Sequence, residues 1–80
     1  MKSVERSIQA LGDLRGLDRR VAQRIMGAVN RFLATGAGDV KRLKGSTEFR
    51  LRSGDYRIRF SAGQEVILIL RVLHRSRAYR

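Results

Sequence analysis

Thr47-Glu48-Phe49-Arg50-Leu51-Arg52-Ser53-Gly54-Asp55-Tyr56-Arg57-Ile58-Arg59-Phe60 reads as two extended runs folded back on each other. Thr47 to Arg52 and Tyr56 to Phe60 alternate apolar with charged residues, and side chains two apart lie on one face of a strand. Ser53, Gly54 and Asp55 between them are turn residues. The predicted hairpin has one apolar face, made by Phe49, Leu51, Tyr56, Ile58 and Phe60. Its other face carries Arg50, Arg52, Arg57 and Arg59. Like charges at that spacing repel, and Glu48 and Asp55 are the local compensation. An anionic partner is therefore expected on the basic face.

Upstream, Lys2 to Arg6 is a short edge-strand candidate with Val4 as its core residue. Ser7 is placed to cap a helix in which Ile8, Leu11 and Leu14 recur at helical spacing, and Gly16 stands where a glycine would stop it. Asp18 is placed to cap a second helix with the stripe Val21, Ile25, Val29, Phe32 and Leu33. That helix should end near Thr35, before Gly36, Gly38 and Asp39. Val40 to Gly45 reads as a basic connection carrying a turn of helix, with Leu43 on the core. Downstream, Ala62 and Gly63 turn the chain into Glu65 to Leu73. There Val66 to Leu70 is apolar without alternation, as in a central strand covered on both faces. The expected fold is α+β: an antiparallel sheet of three to four strands with two N-terminal helices on one face, and the other face open. Residues 1–80 form a single domain, since this length supports one shared core.

The chain has 18 Lys and Arg against 7 Asp and Glu, a net charge of +11, one histidine and no cysteine. The charge balance points to nucleic acid, an anionic membrane surface or an acidic protein. The longest apolar run, Val66 to Leu70, is too short to span a bilayer, and the N-terminus lacks the apolar core of a secretory signal. A membrane partner is not expected; the absence of cysteine accords with a reducing cytoplasm. One histidine and no cysteine exclude a thiolate nucleophile and a His-based metal site, and there is no Gly-rich phosphate loop followed by lysine. No metal or cofactor is expected.

What remains is a cationic cluster with an aromatic ring: Arg50, Arg57, Arg75 and Tyr79, with Arg52, Lys41 and Lys44 near it and Arg59 and Arg77 as further RNA contacts. Arginines hold phosphate oxygens bidentately and stabilise the added negative charge of a pentavalent transition state, and a tyrosine ring can stack on a base. Arginine stays protonated, so a proton leaving a ribose hydroxyl must go elsewhere. Glu48 and His74 are the candidates. Glu48 shares a strand face with Arg50 and could equally be a salt-bridge partner. His74 could equally be a structural imidazole.

Leu43-Lys44-Gly45, the Arg-x-Gly-Asp-Tyr-Arg piece at 52 to 57, and a hydrophobic strand ending Val72-Leu73-His74-Arg75 with Tyr79 four residues on resemble the RelE/ParE superfamily of bacterial and archaeal toxins. The resemblance covers nearly the whole chain. It implies a toxin neutralised by an acidic cognate antitoxin. For the RelE branch it implies an endonuclease that works on the ribosome, in contact with rRNA, and cuts mRNA in the A site by attack of a 2′-hydroxyl on the adjacent phosphate. Carried over by position, Arg57 would stabilise the transition-state phosphate, Arg75 would sit by the leaving 5′-oxygen, and Tyr79 would stack on or orient the nucleotide. Arg50 falls where the best-known members have a lysine that helps during attack. Glu48 replaces another of their lysines, a departure that bears on proton abstraction. The ParE branch shares the fold and inhibits DNA gyrase. A non-catalytic basic module binding RNA or an antitoxin is the third class implied.

Overall fold

The computed structural model describes residues 3–45 and 47–78. In chain order these form β1 (Ser3–Arg6), α1 (Ile8–Arg15), α2 (Arg19–Thr35), β2 (Asp39–Arg42), β3 (Glu48–Ser53), β4 (Tyr56–Ala62), β5 (Val66–His74) and α3 (Arg75–Ala78). The strands make one sheet in the order β1-β5-β4-β3-β2. The fold is α+β as expected, but the sheet has five strands and is mixed, because β1 runs parallel to β5 while the other pairs are antiparallel. Lys2, included in the expected first strand, lies outside the described residues.

The predicted caps form. The Ser7 hydroxyl accepts from the Ala10 N–H at 3.0 Å and donates to the Leu70 carbonyl at 2.8 Å, so one side chain starts α1 and ties it to β5. Asp18 accepts from the Arg20 N–H at 2.9 Å. Gly36 closes α2 at φ 75°, its N–H donating to the Phe32 carbonyl at 2.8 Å. The core joins Ala10, Ile25 and Val29 of the helices to Leu51, Ile58, Phe60, Ile67, Ile69 and Val72 of the sheet. Phe60 is central, stacked on Phe49 at 5.5 Å and tilted against Phe32 at 5.7 Å.

Three local expectations are corrected. Val40 to Gly45 carries no turn of helix: Asp39–Arg42 pairs with β3, which satisfies its backbone groups in the ladder. Leu43 is half-buried beside that ladder, outside the core cluster. Ile8 is 85% exposed, because α1 turns Ala10 and Leu14 inward, with Leu17 beyond it.

The third correction shapes the functional surface. β5 is covered by helices on one face only. Ile67 and Ile69 are buried while Val66, Leu68 and Leu70 are half-buried. Phe60 pairs with Ile69 and Arg59 with Arg71, which leaves Leu70 as the extra residue of a bulge. A bulge shifts the phase of a strand by one. Inward residues are therefore 67 and 69 before it, and 72 and 74 after it.

Candidate nucleic-acid interface

The face of the sheet away from the helices is built in rows by the strand register. Asp39 lies opposite Arg52 and Arg52 opposite Arg57, so β2, β3 and β4 contribute one row. Lys41 lies opposite Arg50, Arg50 opposite Arg59 and Arg59 opposite Arg71, a second row crossing four strands. Directly opposed like charges destabilise a sheet, and three carboxylates offset them. Asp39 stands at the end of the first row. Glu48 accepts from Arg59 Nη2 at 2.6 Å and Nε at 3.1 Å. Asp13, reaching from α1, accepts from Arg71 Nε at 2.8 Å and Nη2 at 3.1 Å.

Asp13 also accepts from the Val72 N–H at 2.9 Å. β1 pairs with β5 only as far as Ile69, so the carboxylate takes over as acceptor where the edge strand ends. Burial pushes the Asp13 pKa up, but the Arg71 hydrogen bonds, the Val72 N–H and the guanidinium charge outweigh it and hold the carboxyl below its usual 3.8. The hydrogen bond and charge of Asp13 in turn raise the pKa of Arg71.

Asp39, Lys41, Arg50, Arg52 and Arg57 surround a cavity of about 70 Å³. A volume of that size admits small polar groups such as phosphoryl oxygens and hydroxyls, and its lining is cationic apart from Asp39. Arg57, expected to extend from the sheet, is only 4% exposed. Its Nη1 donates to the carbonyls of Gly54 at 2.9 Å and Tyr56 at 3.0 Å, which fixes the guanidinium against the hairpin turn. Next to that turn, the Arg75 N–H donates to the Asp55 carbonyl at 2.7 Å, so the start of α3 is fastened to the same hairpin tip.

The structure thus brings together Arg50, Arg52, Arg57 and Lys41 of the residues expected to act on RNA, with Arg75 anchored at the turn. It separates others. His74 lies opposite Tyr56 and meets its ring edge-on at 5.4 Å, on the helix side of the sheet. Its Nδ1 accepts from the Ser76 N–H at 3.2 Å, which caps the start of α3. His74 and Arg77 line a different cleft of about 500 Å³, with Gly12, Asp13 and Tyr56. Lys44 belongs to the β2–β3 loop, where it borders a hollow of about 350 Å³ with Arg42 and Thr47. Arg59 is engaged by Glu48. Tyr79 lies outside the described residues. Asp39, expected only to break the helix before it, stands two residues before Lys41, which puts both on one strand face once β2 forms.

Among the described residues, no group of three or more His, Asp or Glu is arranged to hold a metal ion. No helix among them is long and apolar enough to cross a membrane. The sequence profile of the ParE toxin of the parDE type II toxin–antitoxin system matches residues 4–79. The chain belongs to this toxin family. Comparison with curated protein sequences gave no match. Among solved structures, the toxin is similar to the archaeal RelE–RelB complex from Pyrococcus horikoshii, at 27% identity and TM-score 0.78, covering 96% of this chain and 98% of that one. It is similar to the RelB–RelE antitoxin–toxin complex from Methanococcus jannaschii at 25% identity and TM-score 0.76, covering 94% of each chain. The RelBE2 toxin–antitoxin complex from Mycobacterium tuberculosis matches at 26% identity and TM-score 0.66, with 91% and 96% covered. The sheet and helices described above are thus those of a RelE-like toxin.

Proposed function

We propose that this toxin is an endonuclease that cuts mRNA on the ribosome and is held inactive by an acidic antitoxin. The observation that carries the reading is the small cavity lined by Lys41, Arg50, Arg52 and Arg57 on the sheet face away from α1 and α2. In this reading the 2′-hydroxyl of one nucleotide attacks the adjacent phosphorus, the bond to the 5′-oxygen breaks, and a 2′,3′-cyclic phosphate and a 5′-hydroxyl result. Arg57, fixed by the turn carbonyls, holds a non-bridging phosphate oxygen without having to reorganise as charge develops. Arg50 and Lys41 add charge from the neighbouring row, and Arg75 approaches the leaving oxygen from the hairpin tip. The complexes of similar structure pair their toxins with RelB antitoxins, which supports an antitoxin partner here; the charge of +11 favours an acidic one with steered association.

Primer extension on a defined mRNA, with and without programmed ribosomes, tests the reading. Cuts within A-site codons are expected with ribosomes, and Arg50→Ala and Arg57→Ala should each lower them by about 100-fold or more, the size of effect for removing one transition-state donor. A folded wild-type protein that leaves the mRNA intact would overturn it. The second reading, inhibition of DNA gyrase, is favoured by the ParE profile itself. It predicts loss of supercoiling by purified gyrase on adding the toxin, with the mRNA uncut.

A further inference from the structure

We propose that Asp39 is the general base that takes the proton from the attacking 2′-hydroxyl. The proposal rests on the endonuclease reading and asks which group in this chain can accept that proton. Among the described residues lining the 70 Å³ cavity, Asp39 is the one carboxylate; the other four, Lys41, Arg50, Arg52 and Arg57, are cations. The two groups that the sequence offered are placed elsewhere. Glu48 is hydrogen-bonded twice to Arg59, one row away from Arg57. His74 faces the helix side and uses Nδ1 to cap α3.

Asp39 is exposed, and its side chain makes no hydrogen bond or ion pair with the described residues. Its lone pairs are available to a substrate hydroxyl. Its position is fixed by the backbone: it is the first residue of β2, it follows Gly38 at φ 148°, and it pairs with Arg52. Adjacent strands lie about 4.8 Å apart, so the backbones of Asp39 and Arg57 are separated by about 10 Å. In the proposed pose a nucleotide whose phosphate is held by Arg57 lies across β3, with its 2′-oxygen toward β2. Asp39 takes the 2′ proton as the oxygen attacks phosphorus. The departing 5′-oxygen takes a proton from water, and Asp39 returns its own to solvent.

The test compares wild type, Asp39→Asn and Asp39→Glu in single-turnover cleavage on programmed ribosomes, alongside binding to the same mRNA carrying a 2′-deoxyribose at the cut position. Asp39→Asn keeps the size and removes the acceptor charge. It is expected to slow cleavage by about 100-fold or more, with binding to the uncleavable mRNA unchanged or tighter and the thermal midpoint retained. Asp39→Glu should recover part of the rate. Cleavage by Asp39→Asn within threefold of wild type overturns the proposal and leaves the endonuclease reading intact. So does a loss of binding as large as the loss of rate, which would make Asp39 a binding group only. Absence of cleavage by wild type overturns both.

Discussion

Glu48 and Arg59 meet on a partly exposed surface, their side chains 26% and 38% accessible. A pair so placed contributes less than about 1 kcal/mol. Glu48→Gln should therefore lower the urea-derived stability by no more than that and leave mRNA cleavage within about fivefold; a 100-fold loss of rate would instead make Glu48 the proton acceptor. Asp13 differs because it satisfies a backbone N–H as well as a guanidinium. Asp13→Ala should cost about 2 kcal/mol, the scale of hydrogen bonds to a charged group. Because its folded pKa is depressed below 3.8, its stabilisation is fully present above the unfolded value and is lost as the pH falls through the folded one. Urea midpoints measured from pH 6 down to pH 2 should drop below about pH 4 by less in Asp13→Ala than in wild type. The Asp13–Arg71 contact spans 58 residues, and no local pattern announces it. For Asp39 the local signal is only its spacing from Lys41, which acquires meaning once β2 is paired with β3. His74→Ala, by contrast, should leave cleavage within a few-fold, since its ring is occupied with Tyr56 and α3 on the helix side.

At the scale of elements, the β3–β4 hairpin and α2 were legible because each carries its own signal: strict alternation about a turn, or a long stripe between a capping aspartate and a left-handed glycine. β2 was not, since its four residues contain a single apolar side chain, Val40, and owe their conformation to the ladder with β3. β5 was legible as a strand but its faces were not. An unbroken alternation continued from Ile67 and Ile69 would turn His74 toward the arginines; the extra residue at Leu70 turns it away. Whether a bulge forms is decided by pairing with β4 and by the capture of the Leu70 carbonyl by Ser7, neither of which the run of residues 66 to 70 reveals. The entry to β2 offers a test of how tightly that strand is placed. At Gly38, φ is 148° and an added Cβ would lie 3.1 Å from Leu51 Cδ1. Gly38→Ala should lower stability by about 1–3 kcal/mol, the scale of a backbone held in a region closed to L side chains, measured by urea unfolding. A neutral result would mean that β2 can shift without cost.

Across the whole molecule, eleven net positive charges on 80 residues act in opposite directions on folding and on binding. Salt screens the repulsion within the free chain, so its thermal midpoint should rise between low and physiological ionic strength. RNA binding should weaken over the same range. If roughly 5 phosphates of a single strand are neutralised, the slope of log affinity against log salt is about −3.5, readable by fluorescence anisotropy; a slope near zero would remove the basic face as the RNA surface. The global feature least visible in the residues was the parallel union of β1 with β5, which joins Ser3 to Val66 and Arg6 to Ile69. That union also sets a timetable. At about 5–20 residues per second, β1 leaves the peptidyl-transferase centre several seconds before its partner strand has been made. The sheet that carries the arginines therefore closes only once β5 enters between β1 and β4. Until then the nascent toxin is unfinished, and an antitoxin already in solution has that interval in which to be waiting for it.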